Sequence, residues 1–181
     1  MAKELFYKQG IRATGVEELC RVAGTTKISL YRAYPSKDEL IASVLREDCA
    51  DEACWFEKAQ SAGITPAEQP RAYVRAAAEA MRLHGYRGCP LGMAIVEFPD
   101  PCHPARKVAD AYKLKVRDAI RQMLSAAGAA DPEVTGDTLV LMIEGAFASA
   151  PYLGHLEAAD SLERAGLRLL DTVLPQDAHP S

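Results

Sequence analysis

Cations and hydroxyl groups collect in one short stretch near the start of the chain. Residues 21–37 include four basic residues and no acidic one, and the basic residues are Arg21, Lys27, Arg32 and Lys37. Ammonium and guanidinium groups bind phosphate oxygens, and hydroxyl groups donate to phosphates or base edges. A formal charge of +4 in this stretch, on a chain whose net charge is −4, therefore indicates one local nucleic-acid-binding face.

Catalytic residues form no comparable pattern in the sequence. It contains no nucleophile elbow, phosphate-binding loop, dinucleotide fingerprint or zinc-protease motif. The histidines, His84, His103, His155 and His179, have no neighbours that would complete a catalytic set. We therefore expect no enzyme and no cofactor other than an unidentified small effector.

Cys89, Glu97, Cys102 and His103 lie close together in sequence, and zinc accepts ligands of these types. No close cysteine pair has zinc-finger spacing, and thiols are commonly small buried apolar groups, so we predict no metal site. Five cysteines are an odd number in a chain long enough to need no disulfides. They indicate reduced thiols and a cytoplasmic protein.

The elements that position these residues are predicted to be helices, because strand signals are scarce and helical spacing is common. Residues 104–128 place their apolar side chains at steps of three and four, which predicts one long amphipathic helix. The whole chain is predicted to be all-α, with about nine helices.

Helix starts are marked by capping residues. Thr14 with Glu17, and Ser36 with Glu39, each fit a capping box, in which a hydroxyl and a carboxylate accept from the first backbone amides. Asp131 precedes a proline and is predicted to be an N-cap.

The first 45 residues are predicted to form a DNA-binding domain of short helices. Residues 16–23 and 26–34 form the second and third helices, joined by a turn at Gly24 and Thr25. Two helices across a short glycine-containing turn make a helix-turn-helix motif (about residues 15–34), whose second helix lies in the major groove. A short helix with two cations is more often only a solvated face, but the turn, the charge and the polar N-terminal end favour DNA binding.

The same residues resemble a known family. Residues 10–16 (Gly-Ile-Arg-Ala-Thr-Gly-Val) and 23–40 are similar to the DNA-binding domain of the TetR (tetracycline-repressor-like) family of bacterial transcriptional regulators. The shared pattern is Gly-x-x-x-Thr, an Ala-Gly turn and Leu-Tyr-x-x-aromatic-Pro-Ser-Lys-x-x-Leu. Residues 87–90 and 97–100 resemble the C-terminal domain of one subgroup of that family.

The resemblance implies which residues contact DNA. It assigns base or phosphate contacts to Thr26, Lys27, Ser29, Tyr31, Arg32 and Lys37, with Thr14 as a phosphate contact. Thr25 is added as a hydrogen-bonding group at the N-terminal end of the third helix, and Tyr34 as an amphipathic side chain that can pack while its hydroxyl reaches a phosphate oxygen. Ile28 and Ala33 depart from the family pattern, so the operator cannot be inferred from a relative. The first helix is also shorter than in the family, from which we expect a misassigned start or a truncated sequence.

Residues 46–175 are predicted to form a second domain for effector binding and dimerisation, followed by a tail at 176–181. The helix over about 134–150 has little polar face, and a helix over 162–174, opened by Asp160 and Glu163, is its expected partner. The predicted dimer interface consists of Leu139, Ile143, Ala146, Phe147, Ala150, Leu162, Leu169, Leu170 and Val173. The alternative is that both helices are buried within one chain, but two adjacent half-sites favour a dimer.

The predicted effector site is apolar and aromatic with a few polar groups. Its candidates are Trp55, Met81, Tyr86, Met93, Glu97, Phe98, Tyr112, Val116, Met142 and Phe147. Most of these residues would serve equally well as core. Glu97 follows an apolar run and is expected either to face a ligand or to make a cap or pair at the surface.

The sequence as a whole predicts a DNA-binding transcriptional regulator. We expect a repressor that binds a double-stranded operator as a homodimer and responds to a small ligand. No apolar run approaches the about 18–20 residues that cross a membrane, so no membrane partner is expected. The alternatives are a helical protein-interaction adaptor and a regulator without a ligand.

Overall fold

The structure is a computed structural model that describes residues 1–61, 65–83 and 85–175, with side chains for all of these except 51–61. In this part of the chain there are nine α-helices and no strand, which confirms the predicted all-α class. The helices are α1 (Ala2–Gln9), α2 (Val16–Ala23), α3 (Lys27–Ala33), α4 (Lys37–Ser61), α5 (Gln69–Arg82), α6 (Pro90–Glu97), α7 (Pro104–Ala126), α8 (Pro132–Leu153) and α9 (His155–Val173).

The helices divide between two compact units. Unit 1 combines Met1–Asp51 with Cys89–Lys113, and unit 2 combines Glu52–Gly88 with Leu114–Ser181. This division differs from the predicted contiguous domains, because the segment around α6 belongs with the short N-terminal helices. The predicted tail at 176–181 lies outside the described residues.

Unit 1 has a small apolar core. Phe6, Leu19, Leu30, Leu40 and Ile41 are each at most 8% exposed. Burying an aliphatic or aromatic side chain of this size contributes roughly 1.5–3 kcal/mol, so a few such residues hold the short helices together.

Unit 2 is built around α9, which contacts both α5 and α8. Gly166 of α9 lies so close to α5 that an added Cβ would come within 2.8 Å of a Val74 methyl group. Arg82 of α5 donates to both Asp160 and Glu163 of α9, at 2.7 Å each. Gly166 therefore allows α5 and α9 to pack closely, and the hydrogen bonds of Arg82 link the two helices.

Two of the three predicted capping residues are found at helix starts. Asp131 does cap α8, since it accepts from the Val134 amide at 3.0 Å. The Ser36 hydroxyl accepts from the Glu39 amide at 3.1 Å, which is one half of the predicted capping box. The box at Thr14 does not form, because Gly15 is the N-cap of α2.

The last helix begins earlier than predicted, at His155. Asp160 and Glu163 are therefore inside α9, where they bind Arg82, and they do not open the helix. None of the described helices is long and apolar enough to cross a membrane.

Candidate nucleic-acid interface

A glycine in a left-handed conformation joins the two helices of the motif. Gly24 ends α2 with φ of +63°, and its amide donates to the Arg21 carbonyl at 3.4 Å. Glycine adopts this conformation without the steric cost that a Cβ adds. The tight turn that places α3 against α2 therefore depends on Gly24.

Two hydroxyl groups are fixed at the start of α3. Thr26 is the N-cap and accepts from the Ser29 amide at 3.2 Å, while its own hydroxyl donates to Ser29 Oγ at 3.1 Å. The Thr26 proton is thus used within the helix end. Ser29, which is exposed, keeps its own O–H as a donor for a base or phosphate.

The rest of α3 faces outward. Leu30, at 8% exposed, is its one buried residue and anchors it to the core of unit 1. The predicted contacts Lys27, Ser29, Tyr31 and Arg32 are all exposed on the same short helix. The structure therefore brings four of the predicted DNA contacts onto one surface.

Acidic residues of α2 neutralise two of the four cations. Glu17 binds the ammonium group of Lys27, and Glu18 accepts from Arg21 at 2.9 and 2.7 Å. Hydrogen bonding to Lys27 lowers the pKa of Glu17, and the same pair raises the pKa of Lys27. The charge count over 21–37 missed both acids, because they lie just before it in sequence.

The other two cations have no acidic partner in the described part of the chain. Arg32 is exposed and makes no ion pair or hydrogen bond within the described part of the chain. Lys37 donates to the neutral carbonyl of Arg12 at 3.1 Å and is half-buried. Arg32 and Lys37 are therefore the predicted contacts best placed to attract phosphate.

Besides Lys37, three predicted contacts are less exposed than expected. Thr14 is 0% exposed, and its hydroxyl donates to the Gly10 carbonyl at 2.7 Å, so the predicted phosphate contact of this side chain is wrong. Its hydroxyl instead secures the turn between α1 and α2. Thr25 and Tyr34 are half-buried.

Glu97 binds the backbone of this same turn. Its two carboxylate oxygens accept from the amides of Ile11 at 3.1 Å and Arg12 at 2.7 Å. The Arg12 guanidinium donates in return to the Glu97 carbonyl at 3.3 Å. Of the two roles expected for Glu97, the structure supports pairing, because both oxygens are already engaged. No sequence signal could have linked residues 86 positions apart.

A cavity of about 390 Å³ lies beside this contact within unit 1. Arg12, Lys37, Glu97 and His103 are among its lining residues. The His103 ring stacks on Phe98 with centroids 4.0 Å apart, and its Nε2 lies 3.5 Å from Asp38 of α4. The segment after α6 is thus attached to α4 as well as to the α1–α2 turn.

The predicted effector residues are divided between the units. Met93, Glu97, Phe98 and Tyr112 belong to unit 1, whereas Met81, Tyr86, Val116, Met142 and Phe147 belong to unit 2. The Trp55 side chain lies outside the described ones. The rings of Tyr86 and Phe147 are 6.0 Å apart and tilted by 54°. Met81 is 0% exposed, which fits a core role.

Most of the predicted dimer residues are buried within one chain. Leu139, Ile143, Ala146, Phe147, Ala150, Leu162 and Leu170 are each at most 9% exposed. Their assignment to a dimer surface is wrong, because they are already covered within the chain, in which α8 and α9 contact each other. Leu169 and Val173 are half-buried. The exposed large apolar residues of α8 are Val134, Leu141, Tyr152 and Leu153, at 63%, 72%, 77% and 50%.

The residues considered for a metal site do not converge. Cys89 accepts from Lys113 at 3.2 Å, Glu97 binds backbone amides, and His103 stacks on Phe98. Within the described residues, no group of histidines, cysteines and acids is arranged to hold a metal ion.

Comparisons with known proteins agree with this arrangement. The family profile for "Bacterial regulatory proteins, tetR family" matches residues 1–44. SCO4454, a TetR-family transcriptional regulator from Streptomyces coelicolor, is 27% identical with a TM-score of 0.90, over 95% of this chain and 91% of its own. A chain described as a TetR transcriptional regulator (sav143), from Streptomyces avermitilis, is 30% identical with a TM-score of 0.78, over 95% and 93%. The HTH-type transcriptional regulator YjdC of Escherichia coli (strain K12) is 27% identical over 145 residues, which are 80% of this chain and 76% of YjdC.

Proposed function

The chain belongs to the TetR family of bacterial transcriptional regulators, and we propose that it is a repressor, without catalytic activity, that binds its operator as a homodimer in the cytoplasm. We propose further that a small effector releases it from DNA. The observation that carries the proposal is the outward face of α3, which presents polar and cationic groups around a single buried anchor, Leu30.

On DNA, α3 would lie in the major groove with its N-terminal end toward the bases. Ser29 has a hydroxyl donor available there, and Lys27 can reach a base edge or a phosphate once it leaves Glu17. Arg32 and Lys37 would bind phosphate oxygens and position the helix. The sequence predicts the same roles for these four residues, whereas Thr14 is no longer included as a phosphate contact.

The dimer that we propose uses the exposed stripe of α8, defined as Val134, Leu141, Gly145, Ala148 and Tyr152. At 3.6 residues per turn these five positions lie on one side of the helix, and all five are exposed. No atom lies within 4 Å of the position that a Gly145 Cβ would take, so a second helix could approach there. A two-fold dimer built on this stripe would carry two copies of α3, the number that an operator with two half-sites about 34–36 Å apart requires.

The effector would act through α6. Glu97 ends this helix and holds the amides of Ile11 and Arg12, so an effector that shifts α6 would withdraw the carboxylate from the α1–α2 turn. DNA and effector would then favour opposite states of one two-state element. The predicted effector residues other than Glu97 and the fully buried Met81 remain our candidates for contacts with the ligand.

The proposal is tested by a gel-shift titration with the DNA upstream of the chain's own gene. We expect a saturable complex at a defined sequence, and about tenfold weaker binding for Arg32→Ala with a salt slope smaller by about one. Arg168→Ala is the matched control, since Arg168 is an exposed arginine of α9 with no partner in the described part of the chain. A folded protein that binds no duplex would instead support the adaptor alternative.

The effector is sought by thermal stabilisation. A ligand that binds only the folded protein raises its melting temperature by mass action. A ligand found in this way should weaken operator binding in the gel shift. Unchanged operator affinity at a saturating ligand concentration would contradict the release mechanism.

A further inference from the structure

Ile28 is an aliphatic side chain on the outward side of α3. It is 74% exposed, and of the large apolar residues between positions 2 and 50 only Tyr31, at 46%, is comparably exposed. Leu30, two residues further along, is buried. An isoleucine that is 74% exposed contributes little to the core of unit 1.

Helix geometry directs Ile28 away from the core. Successive residues of an α-helix are rotated by about 100°, so Ile28 lies roughly 160° around α3 from the buried Leu30. Arg32 lies one turn further along the same outward side. Ile28 belongs to the first turn of α3, the end of a recognition helix that reaches base edges, whereas Arg32 belongs to the last turn.

The major groove offers one apolar group to such a side chain. Each base pair there presents hydrogen-bonding atoms, and thymine alone adds a C5-methyl group. An isoleucine cannot donate to or accept from a base edge. It would leave those polar atoms unpaired if it faced them, and it gains free energy only by covering a methyl group.

We propose that Ile28 reads a thymine by contact with its C5-methyl group, once in each operator half-site. This inference rests on the proposed DNA binding through α3, and it adds a specificity-determining residue to that surface. Lys27 and Ser29, on either side of Ile28, carry the polar groups for neighbouring positions, so an apolar contact between them distinguishes thymine from cytosine at one step.

The first part of the test defines the operator. Wild-type protein is used to select duplexes from a pool with a randomised central segment, and a half-site consensus is read from the selected pool. We expect at least one thymine at a fixed position of the half-site. A consensus without such a thymine overturns the assignment of Ile28. Failure to select any consensus overturns the proposed function itself.

The second part removes the methyl group alone. Each consensus thymine is replaced by uracil, which keeps every hydrogen-bonding atom of the base and lacks only the C5-methyl. We expect one position at which wild-type affinity falls about fourfold per half-site, the loss that corresponds to one buried methyl-sized group. Equal affinity for thymine and uracil at every position would overturn the proposal.

Variants of Ile28 then test whether this residue makes the contact with the thymine methyl group. For Ile28→Ala, the thymine and uracil duplexes should bind equally, whereas Ile28→Val should retain most of the preference. Val96→Ala is the matched control, because Val96 is an aliphatic residue of α6 that is 81% exposed. A thymine preference that persists in Ile28→Ala assigns the methyl contact to another residue. Because Ile28 is exposed, the melting temperature of both variants should match the wild type, which separates a lost contact from a lost fold.

Discussion

At the scale of single residues, the net positive charge around α3 is smaller than the count of basic residues in its sequence suggests. Arg21 and Lys27 are held by Glu18 and Glu17, so α2 supplies acids that a count beginning at residue 21 overlooks. The Glu18–Arg21 pair has a helical spacing of three and could be predicted from the sequence. The Glu17–Lys27 pair depends on the turn at Gly24, which brings the starts of two helices together.

Glu17→Gln should strengthen binding to every duplex. The substitution removes the carboxylate that binds Lys27, so this ammonium group becomes available to a phosphate, and the salt slope should steepen by about one. Fluorescence anisotropy with a random duplex over a range of salt concentrations measures both effects. Glu47→Gln makes the same charge change at an exposed position of α4 and serves as the control. Equal slopes for Glu17→Gln and Glu47→Gln would show that Lys27 stays away from the phosphates.

At the scale of helices, local patterns and long-range contacts differ in how well they could be predicted. The bounds of α2 follow from Gly24 and the apolar spacing before it, and the structure has them as predicted, at Val16–Ala23. The spacing of Thr14 and Glu17 predicts a capping box, but Thr14 is buried in the turn after Gly10, and its hydroxyl donates to the Gly10 carbonyl. Glu97 and Ile11 meet only because α6 returns to the first helices, and no local pattern encodes that return.

Glu97→Gln should destabilise the unit that contains the DNA-binding helices. The amide offers one acceptor oxygen without a negative charge, so one of the two backbone donors at Ile11 and Arg12 loses its partner. Loss of such a bond to a charged group costs about 1.5–3 kcal/mol of unfolding free energy, measured by urea denaturation. Glu47→Gln is the control in the same unit. If the unfolding free energies of the two variants agree, the contact of Glu97 does not hold the α1–α2 turn.

Asp137 of α8 makes a pH-dependent link to α7. Arg117 and Arg121 both donate to its carboxylate, with bonds of 2.7–2.9 Å, and these bonds hold its pKa well below the usual range. A carboxyl group with a lowered native pKa stabilises the fold above its unfolded pKa of about 3.9, and this stabilisation is lost as pH falls through the native value.

Asp137→Asn should therefore lower the melting temperature at pH 7, and the difference from wild type should stay nearly constant down to about pH 4. Below that pH the difference should shrink, because the carboxyl group of the unfolded wild type takes up a proton while the native carboxylate is still ionised. Thermal denaturation followed by circular dichroism measures this, with Asp118→Asn, an exposed acid of α7, as the control. A difference that instead grew in acid would mean that the pKa of Asp137 is not lowered.

At the scale of the whole molecule, the proposed dimer depends on which face of α8 is exposed. The residues expected at the interface from their hydrophobicity form the core of unit 2, because α8 and α9 contact each other within the chain. Hydrophobicity alone could not separate a core face from a dimer face on a helix with so little polar surface. The stripe over Val134, Leu141 and Tyr152 is distinguished only by its exposure.

Leu141→Arg should weaken the dimer without unfolding the chain. Leu141 is 72% exposed, so the fold does not depend on it, but an arginine in the centre of a two-fold contact would face its own copy. We expect the dimer dissociation constant to rise by about tenfold or more, as determined by sedimentation velocity. Leu114→Arg, at a 57% exposed position of α7, is the control. Unaltered dimerisation of Leu141→Arg would place the interface elsewhere.

The two acids that hold Arg21 and Lys27 also affect how such a protein finds one site in a genome. A bacterial chromosome offers roughly 10⁶ or more competing sequences, and cations bind all of them equally well. Each cation kept on a carboxylate until the correct groove is reached shortens the time spent on the wrong sequences. If α3 binds DNA as proposed, the protein would therefore spend less of its time bound to sequences other than its operator.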